Sequence, residues 1–252
     1  MTASLLALSN MIVDDVQFAD GKQRRQLGGA ALYAALGAAC WWRKVAIVAG
    51  VGADLDIHAQ GALARWGLRT EGLLVRDPCT IGSHLVYSAD GERTETPWHG
   101  PEHFKRMQLD AADIPGSLLP AAATYLFQGI AEAFWGAYHP RRVQLGVTLW
   151  ELQADAAIPD NWPAVADLLP AVDVFSSNFT EARALLGVVE PLQALQQLLA
   201  AGARSVVLRL GADGALVATG NAGWHVRPPV SLVVDVTGAG NAFCGGFLAG
   251  WC

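Results

Sequence analysis

Asp235-Val-Thr-Gly-Ala-Gly-Asn241 is the stretch of this chain best equipped for chemistry. Gly238, Ala239 and Gly240 carry at most a methyl group, so the backbone can turn tightly and leave its N–H groups uncovered. The residues that follow read as a helix. Uncovered N–H groups at a helix start, with the positive end of the dipole behind them, form an anion site that a phosphate can approach closely. The same residues also suit a plain strand-to-helix turn after the β-branched pair Val233-Val234, and a short glycine motif alone does not separate the two readings.

Other chemistry-bearing residues recur where strands are predicted to end. Asp14 and Asp15 follow the apolar run Leu5-Leu6-Ala7-Leu8. Ligands of α/β sheets bind beyond the carboxyl ends of strands, so a carboxylate there could hold substrate hydroxyls; two solvated turn acids are the alternative. Gly28 and Gly29 make a tight turn into a small-residue helix that includes Tyr33 and Gly37. Asn178-Phe-Thr-Glu181 follows the predicted strand Val172–Ser176, and also suits a helix cap with Glu181 in the first turn. Arg209, Gly211 and Gly214 lie in a strand–turn–strand segment. His99 and His103 have helical metal-ligand spacing, but Pro101 stands between them, so no metal site is assigned. Cys40, Cys79, Cys244 and Cys252 lack metal or redox spacing and suit free thiols in a reducing cytosol.

These residues need a scaffold, and the pattern supplies one. From Ala122 onward the predicted order is strand Thr124–Gln128, a helix over 134–143, strand Leu145–Leu149, helix Trp162–Leu169, strand Val172–Ser176, then helix Glu181–Gly187. Such alternation argues for a mostly parallel, doubly wound α/β sheet flanked by helices. Earlier come a strand over 45–51, Asp54 as N-cap of the next helix, Gly67 as its C′ residue, and a strand over 73–76. Two hairpins interrupt this order. One is centred on Asp20-Gly21; the other covers Thr80 to Thr96 and turns at Asp90-Gly91. Without repeats or linkers, the 252 residues are expected to form one domain. With 52% hydrophobic and 16% charged residues the chain is a folding one, and a net charge of −6 argues against nucleic acid as partner. The most apolar window, residues 27–42, falls short of the ~20 residues of a membrane span. No basic leader is evident, so a cytoplasmic setting is expected.

Taken together, these motifs resemble those of the PfkB (ribokinase-like) carbohydrate kinases, in the family's order. The resemblance implies a ribokinase-like fold in which the hairpins at about 13–27 and 79–98 form a small β lid over the acceptor. It implies ATP and Mg²⁺, with a sugar or nucleoside-like acceptor held by Asp14, Gly28, Gly29 and Tyr33. Gly238, Ala239 and Gly240 would hold the transferring phosphate. Asn178 and Glu181 would organise Mg²⁺ through water, with no side chain assigned as a direct metal ligand. Arg209, Gly211, Gly214, Asp235 and Thr237 would belong to the nucleotide side. A homodimer through the lid is a further expectation. Four positions depart from the family pattern: Ser9 replaces Gly, Tyr33 replaces Asn, Arg209 replaces Thr, and Asn241 stands at the position of the base Asp. An amide is not basic, and loss of a general base lowers rates by about 10²–10⁴. The chain also ends at Trp251-Cys252, inside the helix that starts near Gly240, where family members continue; a fragment or a weakened nucleotide site is therefore expected. The resemblance thus points to an ATP-dependent kinase of impaired activity. Its alternative is a non-catalytic sugar- or nucleotide-binding regulator on the same scaffold.

Overall fold

Leu5–Leu8 is buried along its whole length, and its side chains divide: Leu5 and Ala7 join one apolar cluster, Leu6 and Leu8 another. Two cores on opposite faces of one sheet follow from that alternation. The structure, a computed structural model, describes residues 3–55, 57–88, 93–220, 222–233 and 235–252. The predicted turn at Asp90-Gly91 lies outside the described residues, as does Val234.

The strands are β1 (Leu5–Leu8), β2 (Ile12–Gln17), β3 (Gln23–Gly28), β4 (Val45–Gly52), β5 (Leu68–Asp77), β6 (Gly82–Tyr87), β7 (Arg93–Pro97), β8 (Ala123–Gln128), β9 (Val147–Leu152), β10 (Val174–Asn178), β11 (Ser205–Arg209), β12 (Ala215–Thr219) and β13 (Ala222–Val226). The α-helices are α1 (Ala30–Ala39), α2 (Ile57–Arg65), α3 (Gly100–Met107), α4 (Glu132–Tyr138), α5 (Trp162–Leu168), α6 (Phe179–Leu186), α7 (Pro191–Ala200) and α8 (Ala239–Trp251). Nine strands form the main sheet in the order β13-β12-β11-β10-β9-β8-β1-β4-β5. Every pairing from β11 to β5 is parallel, and β12 and β13 add an antiparallel edge. The remaining strands make a small sheet, β3-β2-β6-β7, from the two predicted hairpins joined by the parallel pair β2–β6.

One face of the main sheet carries α1 and α8, with Ala31, Ala35, Cys244 and Leu248 packed on Tyr125, Leu149 and Val207. The other face carries α4 and α5, whose Phe134, Trp135, Tyr138 and Val165 meet Trp150 and Phe175. No helix among the described residues is long and apolar enough to cross a membrane.

Several sequence expectations shift. Asp54 does not cap α2, which starts three positions on; its Oδ1 accepts from the Thr80 N–H at 2.6 Å and from the Thr80 hydroxyl at 2.7 Å, tying the β5–β6 connection to the end of β4. The strand expected at Leu145–Leu149 runs over Val147–Leu152, because Gly146 with φ 66 ends the preceding 3₁₀ turn. β10 extends to Asn178, two residues past its expected end. Leu232 and Val233 form no strand and are 90% and 68% exposed; β propensity without a neighbour to pair with builds nothing. α7 went unnoticed in the sequence, although Pro191 marks its first turn. α3 begins between the two histidines with Pro101 in its first turn, so His99 stands outside the helix at the N-cap. Among the described residues no cluster suited to a metal ion is found.

The α1–α8 contact rests on glycine. A Cβ on Gly37 would run into the Ala242 carbonyl, and one on Gly245 into the Ala34 carbonyl. Both obstacles are helix backbone, which cannot swing aside. Gly245→Ala is therefore expected to destabilise the protein by about 1–3 kcal/mol, seen as a lower urea midpoint, whereas Gly136→Ala, inside α4 with open space around it, is expected to stabilise it by about 0.5–1 kcal/mol and raise the midpoint.

Candidate active site

One side of the candidate site is built by strand alternation at β2. Asp14 and Asp15 are neighbours in sequence but face opposite ways: Asp14 is 5% exposed, while Asp15 turns outward to pair with Arg25 across the hairpin at 2.7 and 2.9 Å. Which of the two acids enters the site is thus settled by the pleat. The glycine pair is explained by the same geometry. A Cβ on Gly28 would collide with the Asp14 carboxylate, and Gly29 has φ 99 with the Asn10–Met11 backbone pressed against it. Asn10 was not singled out in the sequence; its Oδ1 accepts from the Ala30 N–H at 3.0 Å and so caps α1 from a distant strand end.

Tyr33 leaves α1 toward both Asp14 and the glycine loop. Its hydroxyl lies near Gly28 and Asp14, and its ring covers Gly238, where a Cβ would overlap it. Burial, followed by the charges of Asp14 and Asp235, pushes the Tyr33 phenol up to about 12, so it stays a neutral hydrogen-bond donor. Asp14, Gly29, Tyr33, Gly238 and Asn241 all line one cavity of about 220 Å³, with Phe127 and Leu85 as apolar walls. A second cavity of about 950 Å³ shares Asn10, Glu95 and Phe127 with it and adds the amides of Gln128, Gln153 and Asn161.

On the opposite side stands the start of α8. Gly238 is its N-cap in the left-handed region, φ 71, which a side chain would oppose. Of the three residues expected to offer N–H groups to an anion, Ala239 is already engaged, donating to the Val236 carbonyl at 3.1 Å. Gly240 and Asn241 follow it in the first helical turn, where N–H groups lack intrahelical partners. The loop is fixed at both flanks: the Thr237 N–H donates to Asp235 Oδ1 at 2.8 Å, and the Thr237 hydroxyl meets Tyr87 of the small sheet at 2.7 Å. Asp235 itself lines a different cavity, on the Arg24 and Trp98 side of Tyr33.

Asn178 and Glu181 form a reciprocal capping box on α6, at 2.8 and 2.9 Å, which is the helix-cap reading of this motif. Asn178, Thr180, Arg209 and Gly211 line a cavity of about 500 Å³. Gly214 does not line it; with φ 90 it lies against the Val226 carbonyl, where a Cβ would not fit. Burial pushes the Glu181 carboxyl above its ordinary value, against the opposing pull of the Asn178 N–H and Arg209.

The two sides meet at groups that the sequence reading missed. Glu151, near the end of β9, is 3% exposed. Its Oε1 pairs with Arg209 Nη2 at 2.7 Å, and its Oε2 accepts from the Tyr125 hydroxyl at 2.6 Å and from Asn241 Nδ2 at 3.2 Å. Arg209 in turn lies beneath Gly240, where a Cβ would meet its Nη1, and 3.9 Å from Glu181. Burial and the Glu151 charge hold the Tyr125 phenol well above its ordinary value. One signal was available: Glu151 is a carboxylate inside the apolar run Val147–Leu152, and a charge in a strand buried on both faces needs partners.

The chain and its fold have counterparts among known proteins. The sequence profile of the pfkB family carbohydrate kinases matches residues 5–252. The cytidine kinase of Thermococcus kodakarensis is 27% identical over 260 residues, covering 98% of this chain and 88% of that protein. Among solved structures, the Escherichia coli protein described as a ribokinase II, in complex with ATP and Mg²⁺, superposes with a TM-score of 0.78 at 19% identity, covering 100% of this chain and 86% of the other. The adenosine kinase of Sinorhizobium meliloti gives a TM-score of 0.78 at 22% identity, covering 100% and 88%. These structures share the ribokinase-like fold. The chain belongs to the PfkB family of carbohydrate kinases.

Proposed function

We propose that the protein transfers the γ-phosphoryl group of ATP to a hydroxyl of a sugar or nucleoside held between the small sheet and α8. One observation carries this reading: a single cavity brings Asp14 and Tyr33 within reach of the same small molecule as Gly238 and Asn241 at the anion-binding helix start. Asp14 and Tyr33 hold acceptor hydroxyls. The first turn of α8, with Arg209 beneath it, receives the transferring phosphate, and the cavity at Asn178 and Gly211 takes the rest of the nucleotide. The acceptor oxygen bonds to the γ-phosphorus, the bond from that phosphorus to the bridging oxygen breaks, ADP leaves, and the hydroxyl proton passes through a phosphoryl oxygen to water. Phosphoryl transfer depends mainly on positioning and electrostatics, so an amide at position 241 slows the step rather than forbidding it.

The residues present suit Mg²⁺ held through water. One half-buried carboxylate, Glu181, next to an amide, fits an ion that keeps most of its hydration shell. When bound, Mg²⁺ neutralises phosphate charge. The small sheet acts as lid, with Tyr87 meeting the phosphate loop at Thr237. A cytoplasmic location and a homodimer through this sheet belong to the same reading, the latter checked by sedimentation.

The binding-protein reading draws on a specific observation too: the side chain at the base position is a non-basic amide whose Nδ2 is already engaged. Mass-spectrometric detection of phosphorylated product from ATP·Mg²⁺ and a panel of sugars and nucleosides, cytidine among them, separates the two. Product supports transfer; ligand-induced thermal stabilisation without product from any acceptor supports binding alone.

Two further outcomes are expected. Tyr33→Phe removes one neutral hydrogen bond and is expected to raise the acceptor KM about threefold to tenfold, with the ATP KM unchanged; Asp14→Asn, which removes a charged partner, is expected to lower kcat/KM by about 10- to 100-fold. The second concerns pH. Glu181 must be ionised to organise Mg²⁺, and its carboxyl is raised, so the rate is expected to rise with pH along a limb above the ordinary glutamate range, a limb that Glu181→Gln abolishes. The sign for stability is opposite. The folded state holds this proton more tightly than the unfolded chain, so the Glu181 contribution to stability falls as pH climbs from the unfolded value through the raised one. Urea midpoints from about pH 4 to 7 are expected to show that slope in the wild type and not in Glu181→Gln.

A further inference from the structure

Two of the departures from the family pattern, Arg209 and Asn241, are distant in sequence but joined through one side chain. Glu151 takes the Arg209 guanidinium on Oε1 at 2.7 Å and the Asn241 amide on Oε2 at 3.2 Å. Tyr125 completes the set. Its proton goes to Glu151 Oε2 at 2.6 Å, which leaves the phenol oxygen to accept from Asn241 Nδ2 at 3.0 Å. Both neighbours of that nitrogen are therefore acceptors, and an amide turned the other way would set its oxygen against a carboxylate oxygen. The amide has one satisfactory orientation. Its NH₂ group points inward, and Oδ1 is left for the cavity that Asn241 shares with Asp14 and Tyr33.

A carboxylate in place of that amide meets a different environment. Glu151 is 3% exposed, and the groups around it are Tyr125 from β8, Arg209 from β11, Asn241 and Cys244 from α8, and Glu181 beyond Arg209. Burial keeps the Cys244 thiol neutral. One guanidinium thus already serves two carboxylates, and no further cation in this set would balance a third.

We infer that Glu151 is a positioning residue that fixes the orientation of Asn241, and that with Tyr125 and Arg209 it builds a pocket for an amide rather than a carboxylate at position 241. The consequence for acceptor phosphorylation rests on the kinase reading above; the pocket itself does not. Glu151 does not line the cavity that Asn241 shares with Asp14 and Tyr33. It presents Asn241 Oδ1 as a fixed acceptor for the substrate hydroxyl.

The inference makes Asn241→Asp an unusual substitution. Two carboxylates about 3 Å apart beside one guanidinium cannot both ionise freely, so the pair retains a proton. The new aspartate becomes a usable base only once that proton leaves, or when the neighbour is neutralised by Glu151→Gln. Four proteins test this: wild type, Asn241→Asp, Glu151→Gln and the double variant, each with ¹³C-labelled carboxyl groups followed by NMR across pH. In Asn241→Asp one carboxyl resonance that the wild type lacks is expected to titrate at least about two pH units above an ordinary carboxylate, and the double variant is expected to add no such resonance to the raised one of Glu181. If Asn241→Asp shows no raised carboxyl titration beyond those already present in the wild type, where Glu181 is itself raised, the inference is overturned. That single variant decides the matter even if Glu151→Gln fails to fold.

Phosphoryl transfer is read in parallel. The acid limb of kcat is expected about two pH units lower in the double variant than in Asn241→Asp, and Glu151→Gln alone is expected to lose about tenfold or more in kcat. Coincident limbs for the two aspartate variants would overturn the inference while leaving the kinase reading intact. Raised titration in Asn241→Asp without product from any of the four proteins would support the pocket and remove the kinase reading instead.

Discussion

The backbone contact between α1 and α8 is the constraint on which the site depends. At Gly37 and Gly245 the helices meet without side chains between them, and the carbonyls of Ala34 and Ala242 occupy the space that Cβ atoms would need. Contact this close fixes both the depth and the direction of α8. Its N-terminus reaches the carboxyl edge of β8 and β9, where Asn241 meets Tyr125 and Glu151. Its next turn places Cys244 in the core beside Ser176, at 3.3 Å. The same contact holds α1 still, and α1 carries Tyr33 from the Gly28-Gly29 turn onto Gly238. A helix start can attract phosphate anywhere on a protein. Here the helix packing brings it to the cavity lined by Asp14 and Tyr33.

Charge is arranged around this helix start with little excess. Arg209 is set among Glu151 at 2.7 Å, Glu181 at 3.9 Å and the backbone of Gly240. A buried carboxylate such as Glu151 is costly unless it is paired and hydrogen-bonded, and it receives one guanidinium, one phenol and one amide. Removing the guanidinium leaves an unmatched charge, and removing the phenol or the amide leaves a buried polar group short of a partner, so the members depend on one another. The positive end of α8 adds to Arg209 on the side that faces the glycine loop. A net charge of −6 is therefore compatible with an anionic ligand, because attraction is local and not spread over the surface.

Local readings of the sequence succeeded where a single segment decides the geometry. The Gly28-Gly29 turn, the hairpin at Asp20-Gly21, the helix after Gly238 and the helix cap within Ser177 to Thr180 each depend on residues within a few positions of one another. Position within the pleat, which separates Asp14 from Asp15, became legible only with the strand register of β2 against β3. What escaped was long-range. Asn10 caps α1 from the end of another strand, Asp54 binds Thr80 rather than the helix beside it, and Glu151 gathers partners from β8, β11 and α8. No local pattern encodes such pairings. The one local trace of Glu151, an acid within a buried strand, was obscured because the strand was placed over 145–149 and ended before it.

That obscured pairing changes how position 241 is understood. Viewed in the sequence alone, an amide at a base position looks like a loss, worth about 10²–10⁴ in rate. Viewed beside Glu151, it is the side chain that satisfies a buried carboxylate and a buried phenol oxygen together. An aspartate would satisfy neither without taking up a proton. The negative charge that the family pattern expects at 241 stands instead at 151, one hydrogen bond deeper, where Arg209 balances it. A loose phosphoryl-transfer transition state asks little of a base and much of alignment. A rigidly held amide oxygen can align a hydroxyl as well as a carboxylate oxygen can, while lacking the ability to remove its proton. On the proposed kinase reading, such a site would support slow transfer governed by positioning, with the acceptor held by Asp14 and Tyr33 and the phosphate by the start of α8.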